Sequence, residues 1–224
     1  MTRSRCGRNS RPPASPSRAC GRRRNLRCAL RGSRPRRLLM STAGRLLVAT
    51  PPMNDPNFER AVVLILTHDE TGAFGLVLTR PTDLAALDDA GTLSDWIAST
   101  SAPQVLFDGG PVQRDSVIGL ARFGDDDERS WATTVGETGA HSVDLNTDAI
   151  NASECQQLRL FVGYSGWGPA QLDSEIAADH WFVLDSTPDD AFDDEPETLW
   201  RRVLERSPEH REWVRRFPED PAAN

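Results

Sequence analysis

From Gly44 onward, apolar residues come in short blocks separated by turn-forming residues, the pattern of a strand-rich chain. Residues 46–49 predict a strand that stops at Thr50-Pro51-Pro52, because two prolines remove ladder donors. Residues 61–66 are continuously apolar, as in a strand buried on both faces. A turn at 69–72 returns the chain as a second strand over 73–78, giving a hairpin. Residues 84–99 read as helical pieces, with Ser94 placed as a cap. Further strands are predicted at 104–107, 117–121, 142–145, 158–162 and 181–184, and a polar surface loop at 124–139. Pro169 suits the first turn of a helix over 169–177, where its missing N–H costs nothing, and two more helical pieces fall at 196–206 and 208–216. Hairpin-linked strands mixed with short helices predict an α+β fold: a mixed β-sheet with short flanking helices in a single compact domain over 40–224.

Charge divides the chain at the same place. Residues 1–39 hold 13 of the 26 arginines and no acid, so the other 13 face all 33 Asp and Glu, a net of about −20. Such a body repels a phosphate backbone, which excludes direct nucleic-acid binding through its general surface. The Arg-rich segment has too few apolar residues to bury a core and is predicted to be disordered. A basic arm, a transit peptide and a start assigned too far upstream all fit it. The abrupt change at Met40 favours the last. Cys6, Cys20 and Cys28 lie in this segment and Cys155 alone in the body, so no disulfide framework is expected. Without a secretory apolar region or a run long enough to span a bilayer, the sequence predicts a cytoplasmic protein with no membrane association.

Four stretches invite chemical readings. In LRLFVGYSGWGPAQLDSEIAADHWFVL, residues 158–184, Gly163 precedes Ser165 as in a nucleophile elbow. An elbow needs small flanking residues, however, and Trp167 stands two positions after the serine. His68, His141, His180 and His210 show no spacing that selects a general base. They also form no metal-ligand pattern, and the acid runs at 125–128 and 189–195 read as solvated surface, so neither metal nor cofactor is expected. Gly109-Gly110-Pro111, with Arg114 nearby, resembles an anion nest but reads better as a structural turn, since Pro111 removes a donor. The loop containing Asp55, Phe58 and Arg60 suits either ligand binding or closure of a sheet end.

Taken in order, these stretches resemble the YqgE/AlgH family, a widespread bacterial group without an assigned reaction. The resemblance runs through GRLLVATPPMNDPNFERAVVLILTHDETGAFGLVLTRP, FDGGPVQRDS and the 158–184 stretch, and covers nearly all of 44–206. The family's Asp-Pro-x-Phe-x-Arg matches Asp55, Pro56, Phe58 and Arg60, and its Gly-Gly-Pro turn matches Gly109, Gly110 and Pro111. Its Gly-Tyr-x-Gly-Trp and Gln-Leu-x-x-Glu-Ile patterns match Gly163, Tyr164, Gly166, Trp167, Gln171, Leu172, Glu175 and Ile176. Two positions depart: Thr79 stands where the family often has Asn, and Ser165 where it often has Ala. A position that tolerates Ala is not a nucleophile. The resemblance implies a cytosolic α+β protein and, through the family's link to transcriptional regulation, an indirect regulatory role through a protein partner.

Together these readings describe a non-catalytic binding or regulatory protein; the alternative is a hydrolase-like enzyme using Ser165, or His68 with Glu175. The expected groove gathers Asp55, Phe58, Arg60, Gly109, Gly110, Pro111, Tyr164, Trp167, Gln171 and Glu175 on one side of the fold. An unidentified protein or a small anionic ligand would occupy it, held by Arg60 and the helix end near Pro169. Alternatively Arg60 pairs with Glu175 or Asp55 and ties the loops together. For the N-terminus, intact-mass measurement of the protein from its host is expected to give a chain beginning at or near Met40; a chain retaining Met1 would restore the arm or targeting readings.

Overall fold

In a computed structural model, residues 41–83, 93–124 and 128–216 are described. The Arg-rich segment with its three cysteines, most of the helical stretch after Thr82, and the acids Asp125, Asp126 and Asp127 lie outside the described residues.

The strands form one 10-stranded sheet whose main path runs β10-β1-β2-β3-β9-β6-β8-β7. Its members are β1 (Arg45–Ala49), β2 (Val62–Asp69), β3 (Gly72–Val77), β4 (Pro81–Thr82), β5 (Leu106–Asp108), β6 (Val112–Phe123), β7 (Ala132–Thr134), β8 (His141–Val143), β9 (Cys155–Trp167) and β10 (Trp181–Asp185). Every pairing is antiparallel except β5 against β9. The short helices are α1 (Ser94–Ala98), α2 (Gln171–Ala177), α3 (Leu199–Arg206) and α4 (Arg211–Arg216). The fold is broadly α+β but mostly a curled sheet.

The apolar run of β2 has the burial its composition predicts. Val62, Leu64 and Leu66 face a core covered by Leu199, Trp200, Val203 and Leu204 of α3. Val63 and Ile65 face the opposite core with Leu172 of α2. A third cluster, under Trp96 of α1, covers the far end of β9 and β6. The indole of Trp200 donates to the Ala49 carbonyl at 2.8 Å and fixes α3 on β1.

A buried cation holds the chain leading to α3. Arg159 of β9 is 1% exposed, lies over the Phe107 ring at 4.6 Å, and donates to the carbonyls of Ala191, Ala102 and Asp193. Burial pulls its guanidinium down to about 10, which leaves it charged at neutral pH. Asp190, 4% exposed, takes both guanidinium nitrogens of Arg206 at 2.5 and 2.6 Å. The acid run at 189–195 is therefore partly structural and not simply solvated, because α3 supplies arginines that reach back to it.

Several predicted boundaries move. The Gly-rich stretch after Val162 does not leave the sheet: β9 continues to Trp167 and pairs with β3 through Gly75↔Ser165 and Ala73↔Trp167. The helix expected from Pro169 begins at Gln171, after Ala170 in the left-handed region at φ 58°. Ser94 is the first residue of α1, not its cap; Leu93 takes that place without a side-chain hydrogen bond. The polar loop at 124–139 contains β7, which pairs with β8.

The join between β5, β3 and β9 is made by glycine backbones. Gly109 donates to Val162 at 2.9 Å, and its carbonyl accepts the N–H of Val77 at 3.0 Å. A Cβ on Gly109 would sit 2.3 Å from the Gly163 carbonyl oxygen, and Gly163 itself has φ +68°. Because backbone stands on both sides of this contact, Gly109→Ala is expected to cost about 2–3 kcal/mol, read as a lowered denaturation midpoint.

Candidate ligand-binding site

The largest cluster of predicted site residues lies where the curl of the sheet closes on α2. Trp167 and Trp181 belong to β9 and β10, four strand steps apart on the sheet path. In a flat sheet that separation is about 19 Å. Their ring centroids are 6.0 Å apart, so the curl brings them together. Phe58, from the loop after β1, completes a triangle, 6.1 Å from Trp167 and 5.3 Å from Trp181. The triangle is a packed wall, and the three rings contact one another as offset or edge-on pairs.

Glu175 holds this wall to α2. One carboxylate oxygen accepts both indole N–H groups, from Trp167 and Trp181, each at 2.9 Å. The other accepts the amide of Gln171 at 2.9 Å, one helical turn earlier. Gln171 in turn accepts the Gly168 N–H at 3.0 Å and closes the turn into the helix. Among the described residues no arginine pairs with Glu175. The chain leaves α2 through Asp179 at φ 58°, a conformation that Asp and Asn tolerate, and enters β10 at once. This short exit puts Trp181 beside Glu175.

Beside the wall opens a cavity of about 670 Å³ lined by Thr50, Pro52, Met53, Asn54, Asp55, Phe58, Pro111, Gly166, Trp167, Gln171, Glu175, Ala178, Asp179, His180 and Trp181. The size falls in the range of small-molecule sites. Its polar groups are unequal in sign: Asp55, Glu175 and Asp179 are acids, and among the described residues no arginine lines it.

Of the predicted residues, Asp55, Phe58, Pro111, Trp167, Gln171 and Glu175 share this cavity. Gly109 and Gly110 stand behind it, packed on the backbone of Gly163 and Tyr164. Their N–H groups are used by the Val162 carbonyl and the Asp108 carboxylate, and Arg114 pairs with Asp108 at 3.0 Å, so the segment is a structural turn. Tyr164 packs against Phe74 at 4.6 Å and lines not this cavity but a neighbouring space of about 380 Å³ that shares Gly166 and Trp167 with it. Arg60, at φ 52°, places its guanidinium over the Trp200 ring at 5.8 Å and does not line the cavity. The expected pairing of Arg60 with Glu175 or Asp55 is absent among the described residues; indoles occupy Glu175 and the Asn57 side chain and N–H occupy Asp55.

The alternative catalytic groups are built into the framework. Ser165 is fully buried, and its hydroxyl donates to the Gly109 carbonyl at 3.2 Å. His68 is 8% exposed; its Nδ1 lies 2.9 Å from the Thr42 hydroxyl and accepts the Thr42 N–H, and its Nε2 is 3.7 Å from Asp173. Burial pushes the Cys155 thiol up to about 11, which disfavours the thiolate at neutral pH.

Sequence reasoning missed Trp181 and Asp179, and weighed His180 only as a general base or metal ligand. Their only signal was position, immediately after a helix whose face already carried Gln171 and Glu175.

Comparison with known proteins places these features in context. A family model described as AlgH-like matches residues 46–211. A UPF0301 protein of Streptomyces coelicolor is 43% identical over 189 residues, covering 82% of this chain and 96% of that one. A UPF0301 protein of Thermobifida fusca is 40% identical, covering 83% and 96%. Among solved structures, a protein from Corynebacterium diphtheriae superposes with a TM-score of 0.67 at 29% identity, covering 74% of this chain and 87% of that one. The solution structure of AlgH from Pseudomonas aeruginosa gives 0.57 at 26%, covering 75% and 89%.

The arrangement makes Glu175 the post on which two indoles and α2 depend. Glu175→Leu, which leaves both indole N–H groups without an acceptor, is expected to destabilise the protein by about 2–4 kcal/mol, measured by chemical denaturation.

Proposed function

The chain belongs to the AlgH-like family, and from that premise we propose that it is a non-catalytic binding protein whose ligand occupies the cavity beside Phe58, Trp167 and Trp181. The observation that carries this reading is the state of Ser165. A serine nucleophile has to reach substrate, and this hydroxyl is fully buried with its proton directed at the Gly109 carbonyl. The cavity, by contrast, has ligand size, an aromatic wall and a few fixed polar groups, the composition of a binding pocket. A regulatory role, including an indirect effect on transcription in the cytoplasm, would follow from ligand occupancy read by a protein partner. The acidic body makes a protein a better partner than nucleic acid.

The test is a screen of small-molecule mixtures against the labelled protein, followed through the indole N–H signals of Trp167 and Trp181. Both signals are expected to shift with at least one mixture. A screen that moves neither would overturn the reading. In parallel, Ser165→Ala is expected to keep ligand binding and to cost no more than about 1 kcal/mol, because Val77 still donates to the Gly109 carbonyl. Loss of a hydrolytic activity in this variant at unchanged stability would establish the enzymatic alternative.

A further inference from the structure

We infer that the cavity beside α2 selects a small organic cation, an ammonium group carried on an apolar body, and not an anion; this rests on the binding reading above. The cavity is lined by Asp55 from the loop after β1 and by Glu175 and Asp179 from α2 and its exit, and among the described residues no arginine lines it. The sequence alone pointed the other way, because Arg60 and the helix start suggested an anion. Arg60 lies over Trp200, and α2 has 7 residues, with the Gly168 N–H ahead of it already taken by the Gln171 side chain.

Glu175 supplies the more specific argument. Its carboxylate accepts three N–H groups and has no cationic partner among the described residues. All three donors are neutral, so they orient the charge without cancelling it. A fixed, uncompensated carboxylate at the edge of an aromatic wall attracts a cation through its own charge. An anion entering the same space would meet three acids. Among the described lining residues only His180 is able to carry positive charge, and it stands beside Asp179.

The apolar body of the ligand is set by the rest of the lining. Pro52, Met53, Phe58 and Pro111 offer no hydrogen bonds from their side chains, and Met53 adapts its shape to what it packs against. Occupancy would therefore combine burial of a compact apolar group with one ion contact, and would weaken as salt rises.

The full chain is titrated with phenethylammonium, 2-phenylethanol and 3-phenylpropanoate, which share an apolar body and differ in charge, following the Trp167 and Trp181 indole signals. Phenethylammonium is expected to saturate both signals with a dissociation constant at least about tenfold below that of the neutral alcohol, and 3-phenylpropanoate to bind most weakly. Two variants remove charge while keeping the fold. Glu175→Gln retains a carbonyl oxygen for both indoles once Gln171 turns its amide, at the cost of the Gly168–Gln171 hydrogen bond, and Asp179→Asn suits the left-handed backbone at that position. Each is expected to reduce the preference for the cation, and the pair to abolish it. If the alcohol or the carboxylate binds as tightly as the ammonium, the charge inference is overturned and the binding reading survives. If the double variant keeps the full preference, the charge inference fails in the same way. No shift of either indole with any of the three probes overturns the cation inference, and the broader screen then decides the binding reading separately.

Discussion

The fold turns on one backbone contact, where Gly109 meets Gly163. Strand β9 is hydrogen-bonded along the same edge to two strands of opposite direction, β5 and then β3. The chain can change neighbours there only if two backbones approach without side chains between them. Gly109 lies so close that a methyl group would enter the Gly163 carbonyl, and Gly163 bends the strand with a positive φ. The carbonyl of Gly109 then gathers the Val77 N–H and the Ser165 hydroxyl, so the switch point has no free valence. Everything that shapes the cavity is hung from it: the direction of Trp167, the start of α2, and the position of Pro111.

That contact also explains where the sequence was readable. The apolar run of β2 announced its two-sided burial because a strand with helices over both faces has no polar face to reveal. The glycines after Val162 suggested a turn, since local propensity treats Gly-Tyr-Ser-Gly as a chain reversal. They instead permit close approach within a continuing strand, and only the pairing with β3 distinguishes the two. Tyr164 was misplaced for the same reason. Once the segment is a strand, alternate residues face opposite sides, and Tyr164 cannot share a wall with Trp167 by facing the same way.

The site was legible in its residue types and not in its contacts. Phe58, Trp167, Gln171 and Glu175 stood out as polar and aromatic residues in or beside loops, and they do meet. Which partner Glu175 takes depends on the curl of the sheet, because the two indoles reach it from strands that lie apart on the sheet path. Arg60 looked like the natural counter-charge in one dimension. In three dimensions a ring of α3 receives it. Arg159 gave no warning beyond a lone charge inside an apolar strand, and its role follows from carbonyls more than thirty residues away.

The pairing of β1 with β10 bears on how the protein is made. Val48 lies opposite Phe182, and the Thr50 N–H bonds to the His180 carbonyl across the same seam. One wall of the cavity thus comes from the loop that follows β1 and another from the start of β10. During synthesis, β1 and β2 leave the ribosome long before Trp181 exists, and loop closure across that span is slow. A nascent chain therefore carries no partial pocket. Its early strands emerge with apolar faces that stay uncovered until α2, β10 and α3 follow.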